Sequence, residues 1–235
     1  MNQLLTMLKW EFILGHRYKI IYIAMLGAIL YYITLVALPT FNTTFFLTMF
    51  LFFDPTLTGI MFVGALVLFE KNENTIQALI VTPMQTRNYL LAKIVSLTIL
   101  SIIAALLFLY LAHGFEFNYF YLLTGIILTS VFLILVGFIL VSRCRSINEY
   151  LVLMMVAMLT LFLPPLLYGS GIYTNDIFYL CPTQASFILF DGVFNAASLE
   201  IWEIAYGIGY QILWIVLFYI LAKKAFYKHI VMEGK

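Results

Sequence analysis

Charge is what this 235-residue chain has least of. Lysine and arginine supply 12 residues, aspartate and glutamate 11, and together they are 10% of a sequence that is 64% hydrophobic. A soluble domain carries about 25% charge and about 45–50% apolar residues. A globule of this length would leave much of that apolar surface against water. A soluble fold is excluded, and the solvent that remains is lipid.

Motifs that carry chemistry are missing too. There is no G-x-x-x-x-G-K-[ST] phosphate loop, so ATP is not bound by that device. There is no H-E-x-x-H, and His16, His113 and His229 stand far apart in the chain. Ser170, in Gly169-Ser170-Gly171, lacks both the G-x-S-x-G frame and a neighbouring histidine base. The expectation is a non-catalytic chain without cofactor or metal of its own. Only two cysteines occur, Cys144 and Cys181, and neither has metal-ligand spacing. Basic residues sit singly at the ends of apolar runs, not in patches, which argues against nucleic acid as a partner. The first apolar run is too long for a signal-peptide core and has no small-residue cleavage site after it.

What is present is long uncharged stretches: 20–53, 55–69, 94–115, 117–142, 150–175 and 204–222. A crossing needs about 20 apolar residues at 1.5 Å each. Six spans follow, at 20–38, 50–69, 90–112, 118–141, 150–168 and 203–222. A lipid-facing barrel would alternate apolar and polar residues, and these runs do not. The fold class expected is an all-α polytopic membrane protein with six transmembrane helices, read as a single membrane domain over 1–235. All 12 Lys and Arg then fall on the side of the termini, while 39–54, 113–117 and 169–202 contain none. By the positive-inside rule both termini are cytoplasmic, in a multi-pass protein of the cytoplasmic membrane. Cys144 and Cys181 fall on opposite sides and cannot pair within one chain. Lys93, one turn into the third span, is expected to snorkel to the cytoplasmic surface.

Residues 1–19 are too short and charged to cross. Leu4, Leu5, Leu8 and Phe12 at helical spacing suggest an amphipathic helix lying in the interface. Asp54-Pro55 reads as an N-cap followed by proline at the first helical position, and a carboxylate at that depth is equally a functional candidate. From Pro55 to Phe69 is only about 22 Å of helix, so the aromatic residues before it must complete the second span. The fifth span is expected to break at Pro164-Pro165. Beyond it, 164–202 reads as an outer lid of short re-entrant helices, with Pro182 inside one of them and Asp191 near its end. Asp54, Pro164, Pro165, Pro182 and Asp191 are the candidate lid and pathway residues.

The first long cytoplasmic loop, FEKNENTIQALIVTPMQTRNYLLAK over 69–93, opens with Glu70, Lys71 and Glu73. A short apolar-faced turn follows from Thr75 through Val81. Thr82-Pro83-Met84-Gln85 then has the form of a capping box that starts the third span in the cytoplasm, ahead of Arg87. Glu70, Glu73, Thr75, Leu79, Thr82, Pro83, Tyr89 and Lys93 together resemble the coupling region of type-2 ABC exporter permeases. Asn74 departs from the glycine common there, yet asparagine also tolerates a left-handed backbone. Residues 8–24 and 179–194 resemble the fluoroquinolone-type export permease branch of that group.

The resemblance implies a membrane subunit that pairs with a second permease subunit, identical or related, and with separate ATP-binding subunits that carry the ATP and magnesium. Glu70, Lys71, Glu73, Thr75, Leu79, Thr82, Pro83, Met84 and Arg87 would couple it to those subunits. The cargo would be a drug-like, amphipathic or peptide molecule. Two other classes stay open on the residues alone. One is an ion-coupled secondary transporter, for which the spans as drawn offer no charged group at mid-depth. The other is a non-transporting immunity or sensor protein that binds an antibiotic at the outer lid.

Overall fold

Long apolar runs without charge have one stable form in lipid, because every backbone amide must be satisfied within the segment. The computed structural model describes residues 3–37, 43–73, 75–76 and 86–228, and it is helical accordingly. An amphipathic helix α1 (Gln3–Arg17) precedes α2 (Ile20–Ala37). The second span is composite: α3 (Thr43–Thr56), a π-helical stretch (Leu57–Phe62) and α4 (Val63–Asn72). Then come α5 (Thr86–Ala112), α6 (Tyr119–Arg143) and α7 (Ile147–Gly169). A segment of short helices, a 3-10 turn (Asp176–Leu180), α8 (Pro182–Asp191) and a second 3-10 turn (Ala196–Ser198), read in sequence as an outer lid and called the lid segment below, leads to α9 (Ile201–Phe226). Six helical segments are long and apolar enough to cross: 20–37, 44–72, 87–112, 119–143, 147–169 and 201–226.

Burial separates an inner from an outer set. In the most apolar 18-residue stretch of each, the second, third and fourth spans are 76%, 56% and 67% buried, against 17%, 22% and 11% for the first, fifth and sixth. Lipid tails are as apolar as leucine, so burial of area does not hold such helices together; close packing and interhelical hydrogen bonds do. The second and fourth spans meet where Gly137 of α6 lies on Ile60 and Val63, and a β-carbon there would overlap Val63. Gly64 makes the same room for the Tyr150 ring of α7. Two cores result. One surrounds Val63, Leu90, Phe138 and Phe226 at the end near the termini. The other, at the lid end, is richer in aromatics, including Phe52, Phe108, Phe162, Phe187 and Phe190.

Both proline sites differ from their sequence reading. Asp54 does not cap a helix, because α3 already began at Thr43 and runs through Pro55. Proline in a helix interior removes a hydrogen bond and crowds the preceding turn. Here the helix relaxes into the π-helical stretch directly after it. Tyr150 of α7 donates its hydroxyl to the Ile60 carbonyl of that stretch.

The fifth span does not break at Pro164-Pro165 either. α7 continues through both to Gly169, so the lid begins at Ser170. Pro165 has no amide for the Leu161 carbonyl, and the Thr183 hydroxyl of α8 donates to that carbonyl instead. Pro182 occupies the first position of α8, where a missing amide costs nothing.

Candidate functional site

Lys93 of α5 is fully buried, which is the reverse of snorkelling. Helix α1 lies over it along α5, and the buried Glu11 reaches in from that helix. The Lys93 ammonium donates to Glu11 Oε1 and Oε2 at 2.9 and 3.0 Å and to Glu70 Oε1 at 2.6 Å. Tyr89, one turn earlier, donates to Glu70 Oε2 at 2.5 Å and sets its ring 5.0 Å from the ammonium. One cation thus holds two carboxylates from two other elements.

An ammonium out of water is tolerated only when paired and hydrogen-bonded, and this one has three carboxylate contacts. The balance is not neutral, since two carboxylates meet a single ammonium. Burial pushes the Glu11 carboxyl above its ordinary value; the Lys93 charge draws it back and the Glu70 charge raises it again.

Around this cluster the remaining predicted coupling residues separate. Lys71 is not directed outward. Its ammonium lies 3.1–3.2 Å from the carbonyl oxygens of Val141, Ser142 and Cys144, at the end of α6. Cations at a helix C-terminus satisfy its open carbonyls and complement its dipole, so Lys71 fastens the second span to the fourth. Glu73 is exposed and stands 3.6 Å from Arg17 of α1, a weak surface pair. Thr75 is half-buried, its neighbour Ile76 is in the core, and Arg87 is exposed. Leu79, Thr82, Pro83 and Met84 lie outside the described residues.

Of the lid candidates, Asp54 is buried in the second span and its Oδ2 has no hydrogen-bond partner. Its backbone carbonyl accepts the Thr58 hydroxyl at 2.5 Å, and Thr58 also meets Ser101 of α5 at 2.6 Å. The span starts at Thr44 and not at 50, so this carboxyl lies deeper in the crossing than its expected place near the outer end. Asp191 ends α8, with Oδ1 taking a hydrogen bond from Asn195 at 3.1 Å. Pro164, Pro165 and Pro182 shape helices and make no polar site.

Glu11 escaped the sequence reading. Its signal was there: with Leu4, Leu8 and Gly15 it forms one helical stripe, and Glu11 and Gly15 are the two buried residues of α1. The exposed apolar residues of that helix are Leu5, Trp10, Phe12 and Ile13.

The fold and this cluster can be set beside known proteins. The family model of the fluoroquinolones export permease proteins matches residues 2–234. The chain belongs to that family. Two fluoroquinolones export permease proteins of Mycobacterium tuberculosis, from strains CDC 1551 / Oshkosh and ATCC 25618 / H37Rv, are each 29% identical to it over 234 residues, covering 100% of this chain and 99% of theirs. No solved structure matches. The permease is therefore a multi-pass membrane protein of an export family.

Proposed function

We propose that this permease is the membrane-spanning subunit of an ATP-driven ABC exporter in the cytoplasmic membrane. Its termini and the 70–89 loop face the cytoplasm, α1 lies in the interface, and α8 enters the membrane from outside and turns back. A second permease subunit completes the pathway, and ATP with magnesium is bound on separate partner chains. The cargo is an amphipathic, drug-like molecule, with fluoroquinolones suggested by the names of the relatives.

The observation that carries this reading is the Glu11–Lys93–Glu70 cluster. It locks α1, the end of the second span and the start of the third into one body. A partner that presses on the exposed Glu73 and Arg87 then moves three elements together, where a free loop would only deform. The experiment is purification of tagged permease from native membranes in mild detergent, with assay for a co-purifying ATPase. Wild type brings the ATPase down, and a Glu73→Lys, Arg87→Glu variant of normal yield loses most of it. A clean preparation with no ATPase overturns the reading.

Asp54 favours a second reading, in which an ion or proton drives transport through a buried carboxyl with an open oxygen. Uptake into energised vesicles separates the two. Transport that survives ATP depletion and is abolished by Asp54→Asn supports the ion-coupled reading.

A further inference from the structure

The lid end of the bundle holds a cavity of about 280 Å3. Thr48 of α3, Tyr168 of α7, Tyr179 of the first 3-10 turn, Gln184 and Asp191 of α8, and Glu203 of α9 all line it. Small-molecule clefts measure about 300–1,000 Å3. This one suits a compact ring system, or one end of a larger molecule.

Its polar lining is built but unpartnered. Gln184 is fully buried, and neither its Oε1 nor its Nε2 has a hydrogen-bond partner. The same holds for the buried Thr48 hydroxyl. This is not looseness of α8, because the residues beside Gln184 are engaged. Thr183 donates to the Leu161 carbonyl, and Ser186 accepts from Gln211. Buried polar groups are nearly always hydrogen-bonded. A fixed helix that directs an open amide at a cavity presents both a donor and an acceptor to whatever enters.

The charge of the lining is one-sided. Asp191 spends Oδ1 on Asn195, and Glu203 spends Oε2 on the Glu200 amide at 2.9 Å. Each keeps a second carboxylate oxygen. Among the described residues no cation pairs with either acid, and 169–202 contains no Lys or Arg. Burial raises the Asp191 carboxyl above its ordinary value, the Asn195 amide lowers it, and Glu203 adds to the rise. A cation between them relieves that repulsion. Tyr168 and Tyr179 stand edge to face, 5.6 Å apart, and aromatic rings of this kind hold both flat molecules and organic cations.

We propose that this cavity is a binding site for an aromatic organic amine. Asp191 and Glu203 take the protonated nitrogen, Gln184 takes a carbonyl or carboxyl group, and the tyrosine rings cover the flat body. As a station on a transport path the site rests on the export reading, but binding itself does not.

The test uses the full-length permease in lipid nanodiscs, without nucleotide or partner. Norfloxacin, a quinolone with a basic piperazine, is titrated by its own fluorescence, beside nalidixic acid, which lacks the basic amine. Wild type binds norfloxacin at least tenfold more tightly than nalidixic acid. Asp191→Asn and Glu203→Gln each weaken norfloxacin about tenfold and leave nalidixic acid unchanged, as loss of a charge-assisted contact requires. Gln184→Leu weakens both. Size-exclusion profiles and melting curves matching wild type show that each variant is folded, and Arg145→Ala, an exposed position at the other end of the bundle, binds as wild type. Equal affinity for the two compounds, no saturable norfloxacin binding, or variants that bind as wild type overturn the site. Because the assay contains no ATPase, binding that holds while co-purification fails leaves the site standing and sinks the ATP-driven reading alone.

Discussion

The two ends of the bundle treat buried polar groups in opposite ways. Near the termini, Lys93, Glu11, Glu70 and Tyr89 are buried and bonded to one another, and Lys71 fastens onto the carbonyls that end α6. At the lid, Gln184 and Thr48 are just as deeply buried and have no hydrogen-bond partner among the described residues, nor do two acids have a cation there. Paired groups in low dielectric resist separation, so the first end is suited to transmitting force as a block. Unpaired groups hold their directionality in reserve for something that comes and goes. The same residue types therefore make a joint at one end and a receptor at the other.

The contrast is sharpest in what removal of one group does. Lys93→Met takes the cation from a buried cluster and leaves two carboxylates facing each other. Breaking a buried pair from one side costs about 3–5 kcal/mol. The expected outcome is the largest fall in melting temperature of any variant considered, read by tryptophan fluorescence in detergent. Adding Glu11→Gln and Glu70→Gln to Lys93→Met removes the stranded charges and restores part of the loss. If Lys93→Met alone melts within a degree of wild type, the cluster is not a joint.

Thr183→Val tests the link between lid and bundle. The hydroxyl stands in for the amide that Pro165 lacks, so its removal leaves the Leu161 carbonyl open. Interhelical hydrogen bonds in membranes are modest and a stranded buried acceptor adds to the loss, so about 1–2 kcal/mol is expected. Proteolysis of the 170–181 stretch should quicken as α8 loosens. A Thr183→Ser variant keeps the donor and should behave as wild type.

These same places mark the limit of what the sequence makes legible. The six spans are plain because a run of some 20 uncharged residues has one outcome in lipid, and the structure agrees with their positions to within a few residues except at the start of the second. Proline rules are local, and they differ at the two sites: at Pro55 the helix relaxes into the π-helical stretch that follows, and at Pro165 the rescue comes from elsewhere. Thr183 lies 22 residues from the carbonyl it serves, and Tyr150 reaches 90 residues along the chain to the Ile60 carbonyl of the π-helical stretch. Glu11 and Lys93 are 82 residues apart. Charge at a span's edge reads as snorkelling until a second helix is known to cover it, so three of the four members, Glu70, Tyr89 and Lys93, surfaced together only through a resemblance, and Glu11 not at all.

Gln184→Leu should have the smallest effect on stability, and that is what makes it decisive for the comparison. At the joint, every polar atom has a partner that its removal would strand. At Gln184 there is none to strand, since neither amide atom is bonded within the chain. Replacing an unsatisfied buried polar group by an apolar one of similar size is neutral or stabilising. Leucine fills nearly the same volume on α8 and removes the desolvation cost of the amide. The melting temperature of the unliganded permease should therefore stay level or rise, while Lys93→Met, an equally conservative exchange of a polar for an apolar chain, lowers it steeply. A fall of several degrees for Gln184→Leu would mean the amide holds the lid together, and the lid would then be a second joint and not a receptor.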